Sequence, residues 1–218
     1  MTAIFFDVDG TLVRWPGAYD AILERAVERV VGRVEDEWLA YYNERFFEHF
    51  GAFADDPYRR AFADGCERFG IDADPDELAD ALVESEFEAV EPVPGVTDAV
   101  PKLTERHTLG LLTNGVPEVQ FGKVERQGFL EHFEVRVASH DPAIEATKPD
   151  AAIYEAARKR AERAVGEELG DDTPPVMVGD DHEPDIAGAR EHGFEAVHVD
   201  ATAEGLRAPD FETLAALL

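Results

Sequence analysis

The chain has 218 residues, of which 44% are hydrophobic and 10% aromatic, and its formal net charge at pH 7 is −28. This length and composition predict a globular protein with a core domain and a smaller second domain, and the strong negative charge argues against nucleic-acid or anionic-membrane binding. No apolar run approaches the roughly 20 residues that a membrane span needs, and no export signal is recognisable at the N-terminus, so we expect a cytoplasmic protein.

The acidic residues are spread along the whole chain, and only four of the 20 basic residues are lysines. An acidic, lysine-poor surface is expected of a halophilic protein, because concentrated salt screens the repulsion between like charges. The charge therefore indicates habitat more than function, and we expect a monomer or a homodimer. The single cysteine, Cys66, excludes an internal disulfide and is predicted to pack in a helix.

The first predicted element is a buried strand that ends in an acidic turn, within the sequence IFFDVDGTLV at 4–13. Alternate side chains of an extended strand point the same way, so Asp7 and Asp9 are expected to project together from its end. Two like charges at that distance favour a cation between them or a shifted pKa. Gly10 permits a sharp turn, and the hydroxyl of Thr11 can brace the loop.

The next part of the chain, 16–90, has apolar residues at three- and four-residue spacing and no convincing strand pattern. Its many aromatic residues are predicted to form mostly the core of a helical bundle. The predicted helices span 18–31, 35–50, 57–69 and 76–90.

After Pro92 the predicted strands and helices alternate, which indicates a parallel sheet with helices on both faces. The sequence therefore predicts an α/β, doubly wound, Rossmann-like core, formed by 1–14 and 92–218, with an α-helical domain inserted at 15–91. The predicted strands are 109–113, 133–138, 176–179 and 196–199. The predicted helices are 96–106, 117–127, 150–164, 184–192 and 211–217.

Polar clusters follow the predicted strands, and in an open parallel sheet ligands bind beyond the carboxyl ends of the strands. Each cluster alone has a structural interpretation as a turn or a helix cap, but their shared placement predicts one composite site. The clusters are Asp7 and Asp9, Thr113-Asn114-Gly115, Lys148, and Asp180-Asp181.

These four stretches, in this order, resemble the motifs of the haloacid dehalogenase superfamily, and the resemblance covers essentially the whole chain. The sequence at 7–11 matches the first motif and the sequence at 113–115 the second. Lys148 matches the third motif, and 179–185 matches the fourth. The helical insertion after the first motif resembles the cap of the phosphatase branch.

The resemblance implies phosphomonoester hydrolysis through an aspartyl-phosphate. Asp7 would attack phosphorus, and Asp9 would protonate the leaving oxygen and then activate water. Thr113 would donate to a phosphoryl oxygen, and Lys148 would neutralise charge on Asp7 and the phosphoryl group. Thr11, Asn114 and Gly115 are further predicted substrate-binding residues, and Arg14 and Trp15 are predicted at the mouth of the site.

Mg²⁺ is the expected cofactor because it prefers oxygen ligands. The expected ligands are a carboxylate oxygen of Asp7, the main-chain carbonyl of Asp9, and Asp180. Asp181 is expected either to bind the metal or to support its ligands. Asp185 is expected either to bind the metal through water or to orient Lys148.

The expected activity is that of a phosphatase acting on a small phosphorylated metabolite, namely a nucleotide, a sugar phosphate or phosphoglycolate. A phosphomutase remains open, whereas a 2-haloacid dehalogenase would need neither a metal nor a proton donor at Asp9. A non-catalytic phosphate-binding or signalling module is the alternative of another class. Receiver domains of that class are about half this length and lack a large helical insertion.

Overall fold

The computed structural model describes residues 2–33, 35–170, 172–199 and 211. The chain divides into two compact units, one formed by Met1–Arg14 with Glu91–Leu218 and the other by Trp15–Val90. No helix in these described ranges combines the length and the apolar character that spanning a bilayer requires.

The strands and helices are numbered here in chain order. The strands are β1 Ala3–Phe6, β2 Val13–Arg14, β3 Glu91–Pro92, β4 Thr108–Thr113, β5 Val135–Ala138, β6 Val176–Gly179 and β7 Glu195–His198. The helices are α1 Tyr19–Val31, α2 Asp36–Gly51, α3 Pro57–Phe69, α4 Pro75–Ala89, α5 Val96–Thr104, α6 Pro117–Arg126, α7 Ala151–Val165 and α8 Gly188–Glu191.

Five strands of the first unit form a sheet in the order β5-β4-β1-β6-β7. Every adjacent pair is parallel, so the predicted α/β fold with a parallel sheet is confirmed. Strand β1 lies in the centre, and all four of its residues are buried. A central parallel strand is covered on both faces, which explains why its sequence is a continuous apolar run.

A second, two-stranded sheet was not predicted. In it β2 pairs antiparallel with β3, with Val13 opposite Pro92 and Arg14 opposite Glu91. Two-residue strands are too short to show a periodic pattern, so the sequence carries no signal for this sheet.

Several predicted elements begin or end one or two residues away from those observed, and two of the differences have a structural reason. The predicted strand 133–138 begins only at Val135, because a 3₁₀ turn at Leu130–His132 precedes it. The predicted helix 184–192 is a π-helical turn, His182–Ala187, followed by the short α8. Of the predicted helix 211–217, only Phe211 lies within the described residues.

The Trp15–Val90 unit consists of the four helices α1 to α4 with an aromatic core. Trp38, Tyr42 and Phe62 are buried and stacked, and the ring centroids of Tyr42 and Phe62 are 4.0 Å apart. Of the aromatic residues predicted to be mostly core, Trp38, Tyr42, Tyr58 and Phe62 are buried, and most of the others are half-buried. Phe47 is 69% exposed.

Candidate active site

The candidate site lies at the carboxyl edge of the central strands of the five-stranded sheet. Asp7 follows β1, Thr113 ends β4, and Asp180 follows β6. Because β4, β1 and β6 are adjacent and parallel, their carboxyl ends meet at one edge of the sheet. The Asp7 N–H continues the ladder by donating to the Val178 carbonyl at 2.9 Å.

The loop after β1 is shaped to approach Asp180 closely. Gly10 has a φ of +83°, and a Cβ on it would overlap the Asp180 carboxylate. The Thr11 hydroxyl donates to Asp180 Oδ1 at 3.0 Å. Thr11, predicted as a substrate-binding residue, therefore holds Asp180 against the loop in this structure, and glycine is required at position 10 by both backbone conformation and space.

Lys148 joins two carboxylates in the interior of the site. Its Nζ donates to Asp7 Oδ1 at 2.7 Å and to Asp185 Oδ1 at 2.6 Å. The side chains of Lys148 and Asp185 are 2% and 1% exposed. Gly179 makes room for this arrangement, since a Cβ there would overlap the Asp185 side chain. The structure thus places Asp185 beside Lys148, the second of its two predicted roles.

Burial dominates the electrostatics of this cluster. It raises the pKa of Asp7 to about 6, even though the neighbouring Lys148 lowers it. Burial also raises the pKa values of Asp180 and Asp185. For Lys148, burial lowers the pKa, but the charges of Asp7 and Asp185 outweigh it and the net shift is upward. Lys148 therefore stays protonated at neutral pH, while burial disfavours the charged forms of its two carboxylate partners.

Asn114 ties the loop after β4 to the loop that carries Lys148. Its Nδ2 donates to the Lys148 carbonyl at 3.1 Å, and its Oδ1 accepts from the Lys148 N–H at 2.7 Å. The Gly115 N–H donates to Ser139 Oγ at 2.9 Å. Thr113 is buried at the end of β4. Asn114 therefore positions the lysine through the backbone.

Asp9 has two partners that sequence reasoning missed, both on α6. Lys123 Nζ donates to Asp9 Oδ1 and Oδ2 at 3.1 and 3.0 Å, and Gln120 Nε2 donates to Oδ2 at 3.0 Å. Both side chains are buried. One signal in the sequence could have indicated these partners. Lysine is rare in this chain, and Lys123 follows Gln120 by three residues on the apolar face of a predicted helix.

Oxygen atoms of Asp7, Asp180 and Asp185 all lie within 4.8 Å of one another, close enough to share one metal ion. Within the described part of the chain, these three carboxylates and that of Asp9 are paired with two ammonium groups, those of Lys123 and Lys148. The excess of negative charge and the all-oxygen donor set both fit a divalent cation such as Mg²⁺.

Asp181 lies outside that group of three, and its exposed side chain accepts from the Glu183 N–H at 3.2 Å, which caps the following π-helical turn. Arg14 donates from Nε and Nη2 to Glu91 Oε1 at 3.0 and 2.8 Å. Trp15 belongs to the helical unit, where it packs edge-on against Tyr19 with a centroid separation of 5.7 Å.

Comparisons with known proteins show which family this chain resembles. A family model for haloacid dehalogenase-like hydrolases matches residues 1–193. The pyrimidine 5'-nucleotidase YjjG of Escherichia coli K12 is 25% identical over 209 residues, which cover 91% of this chain and 85% of the nucleotidase. The ribulose-1,5-bisphosphate 5-phosphatase of Halopiger xanaduensis is 28% identical over 219 residues, covering 93% of this chain and 86% of that enzyme.

Among solved structures, the 2-haloacid dehalogenase from Pseudomonas syringae pv. Tomato DC3000 matches with a TM-score of 0.70 and 24% identity over all of both chains. At this identity the likeness concerns the fold alone.

Proposed function

The chain belongs to the haloacid dehalogenase-like hydrolases, and from this membership we propose that it is a Mg²⁺-dependent phosphomonoesterase. Its substrate would be a small phosphorylated metabolite: a nucleotide, a sugar phosphate or phosphoglycolate. The two curated relatives support this proposal, since one carries the name of a nucleotidase and the other that of a sugar-bisphosphate phosphatase.

The observation that carries the proposal is the division of the two lysines between the two aspartates of the first loop. Lys148 contacts Asp7, and Lys123 contacts Asp9. Each carboxylate thus has its own cation and its own surroundings. Two carboxylates held in different environments are suited to two different roles, one as nucleophile and one as proton donor and acceptor.

In the first half-reaction an oxygen of Asp7 bonds to phosphorus while the ester P–O bond breaks. Asp9, in its protonated form, gives its proton to the departing oxygen, which leaves as an alcohol. Lys148 reduces the repulsion between the attacking carboxylate and the phosphoryl oxygens. Thr113, at the end of the adjacent strand β4, is the further proposed donor to a phosphoryl oxygen.

In the second half-reaction the Asp9 carboxylate takes a proton from water as the water oxygen bonds to phosphorus. The bond between phosphorus and Asp7 breaks, which releases inorganic phosphate and restores the Asp7 carboxylate. Asp9 ends this step protonated, ready for the next substrate. The proton count therefore balances over one turnover.

Asp7, Asp180 and the main-chain carbonyl of Asp9 are the proposed ligands of Mg²⁺, with Asp185 close to the same oxygens. When bound, Mg²⁺ would supply positive charge to the phosphoryl oxygens. Asp181 is the weakest member of the predicted ligand set, because its side chain caps a helical turn.

A 2-haloacid dehalogenase remains a second candidate within the family, on the strength of the fold it shares with this chain. Halide leaves without a proton, so that chemistry has no use for Asp9 and its two buried hydrogen-bond donors. A phosphomutase would use the same aspartates but pass the phosphoryl group to a second hydroxyl of a sugar phosphate.

The test is phosphate release from a panel of nucleotides, sugar phosphates and phosphoglycolate, with Mg²⁺ or with EDTA. The assay is run in molar KCl because the net charge is −28, and 2-chloropropionate is included with detection of lactate, the product of its hydrolytic dehalogenation. We expect phosphate release from a few members of the panel, with Mg²⁺ only. No phosphate release by folded protein in Mg²⁺, or lactate formation from 2-chloropropionate instead, would overturn the proposal.

A further inference from the structure

We propose that Lys123 and Gln120 are positioning residues that hold the Asp9 carboxylate in the orientation needed for proton transfer to the leaving oxygen. This inference rests on the proposed phosphatase function and adds two residues to it. Neither residue lies in the four motifs that carry the family resemblance.

The contacts define one orientation of the Asp9 carboxylate. Lys123 Nζ reaches both carboxylate oxygens, at 3.1 and 3.0 Å, and Gln120 Nε2 reaches Oδ2 at 3.0 Å. The two donors are three residues apart and lie on one face of α6. A carboxylate held by one donor can swing about it, whereas donors from two side chains fix both its position and its plane.

Stability alone gives a poor reason for this arrangement. The Lys123 side chain is 2% exposed, whereas that of Asp9 is 28% exposed. Burying an ammonium group is costly, and the ion pair it gains is often no more stabilising than apolar packing of similar volume. The cost falls on one of only four lysines in the chain. A chain with few lysines thus buries two of them against the two aspartates of one loop.

The burial of Gln120 is also energetically unfavourable. Its Oε1 atom is buried and has no hydrogen-bond partner among the described residues. Leaving a buried acceptor unsatisfied is destabilising, which a purely structural residue would avoid. Gly115 makes space for it, since a Cβ at that position would overlap Gln120 Cγ and Nε2. The amide is therefore accommodated at this place despite its cost, with its Nε2 directed at Asp9.

The arrangement also gives Asp7 and Asp9 separate hydrogen-bond partners. Lys148 contacts Asp7 and Asp185, whereas the side-chain hydrogen bonds described for Asp9 come from α6. Lys123 approaches from α6 and gives Asp9 a separate anchor. Loss of that anchor would leave Asp9 free to rotate, and the first half-reaction would lose its aligned proton donor while the nucleophile stays in place.

The experiment compares Lys123→Met and Gln120→Met with wild type on two substrates. One is the best alkyl phosphate of the panel, whose leaving oxygen must be protonated. The other is 2,4-dinitrophenyl phosphate, whose phenolate leaves without a proton. The measured quantity is kcat/KM, which reports the steps up to release of the first product and so excludes hydrolysis of the phosphoenzyme.

We expect Lys123→Met to lower kcat/KM for the alkyl phosphate by about 10²-fold and for the aryl phosphate by less than about threefold. Gln120→Met should also lower kcat/KM selectively for the alkyl phosphate, but by a smaller factor. Asp9→Asn should cause the largest selective loss of the three variants. The matched control is Lys159→Met, which removes an exposed lysine paired with Glu155 and should change neither value. Thermal unfolding confirms that each variant is folded.

A loss of equal size on both substrates, or no loss on the alkyl phosphate in both variants, would overturn the positioning role while leaving the phosphatase intact. Wild-type protein that hydrolyses neither ester would overturn the proposed function, and the positioning role would fall with it. Because Gln120→Met keeps the lysine, it tests the proposal even where Lys123→Met does not fold.

Discussion

Lys148 Nζ donates a hydrogen bond to Asp7 Oδ1 at 2.7 Å, although the two residues are 141 positions apart in the sequence. The same ammonium group lies 2.6 Å from Asp185 Oδ1, so one buried cation serves two buried carboxylates. The folded chain therefore concentrates charge that an ordinary core would exclude.

Replacing Lys148 with methionine should leave Asp7 and Asp185 facing each other without a cation. Removing one partner of a buried ion pair costs about 3–5 kcal/mol, so we expect a loss of that size in the free energy of unfolding at neutral pH. Urea denaturation in EDTA measures it. Lys159→Met, at an exposed ion pair, should cost less than about 1 kcal/mol. Equal stability of the two variants would contradict the energetic role of Lys148.

Asp7 should make the stability of the metal-free protein depend on pH. Burial raises its pKa from 3.8 to about 6, so between these values the folded state binds more protons than the unfolded state. The free energy of unfolding then falls as the pH rises from about 4 to about 6, and the lost stability is not regained above pH 6.

The variant Asp7→Asn isolates this contribution because it has no carboxyl group to titrate. Its free energy of unfolding, relative to wild type, should increase by about 2 kcal/mol between pH 4 and pH 7. Denaturation of both proteins in EDTA at fixed salt provides the comparison. A difference that stays constant over this range would show that Asp7 ionises normally in the folded protein.

Asp9→Asn should lower kcat by about 10²–10⁴-fold, because asparagine keeps the shape and can accept hydrogen bonds but cannot transfer a proton. The dependence of the rate on pH should change as well, since one of the groups that exchange protons with substrate is lost. Steady-state kinetics on the best panel substrate measures both. An unchanged pH profile would mean that Asp9 only supports the loop.

Gly10→Ala should distort the loop after β1. The residue has a φ of +83°, and the added Cβ would overlap the Asp180 carboxylate. Backbone strain of this kind costs about 1–3 kcal/mol, and displacement of Asp180 should also weaken Mg²⁺ binding. Thermal unfolding with and without Mg²⁺ measures both effects. The control is Gly170→Ala, where nothing lies within 4 Å of the added Cβ; matching behaviour of the two variants would argue against a packed loop.

The sequence predicted the parallel sheet well because its buried strands are short apolar runs bounded by turn residues. The predicted strand 176–179 coincides with β6, and the predicted strand 109–113 misses only the first residue of β4. The spacing of apolar residues did not predict elements that are too short to show a repeat, such as β2 and β3. It also did not predict the π-helical turn at His182–Ala187, which departs from α-helical geometry.

For the candidate site, the sequence indicated which residues follow the strands but not what their side chains contact. Lys123 and Gln120 were missed because they lie within α6 and not at a strand end, and a helical pattern alone does not show which neighbour a buried polar side chain meets. Asp180 and Asp181 look equivalent in sequence. Only the turn of the chain separates them, directing Asp180 to Thr11 and Asp181 to the N–H of Glu183.

The covalent role of Asp7 is the central claim, and acid quenching during turnover tests it most directly. The Asp9→Asn variant is used with 2,4-dinitrophenyl phosphate, because formation of the intermediate from this ester needs no proton donor while its hydrolysis is slowed, so the intermediate should accumulate. Mass spectrometry of the peptides then locates the phosphoryl group. We predict a hydroxylamine-sensitive phosphoryl group on Asp7, and in a parallel assay a folded Asp7→Asn protein without turnover. Retained turnover in Asp7→Asn, or a phosphoryl group on another residue, would contradict the proposed mechanism.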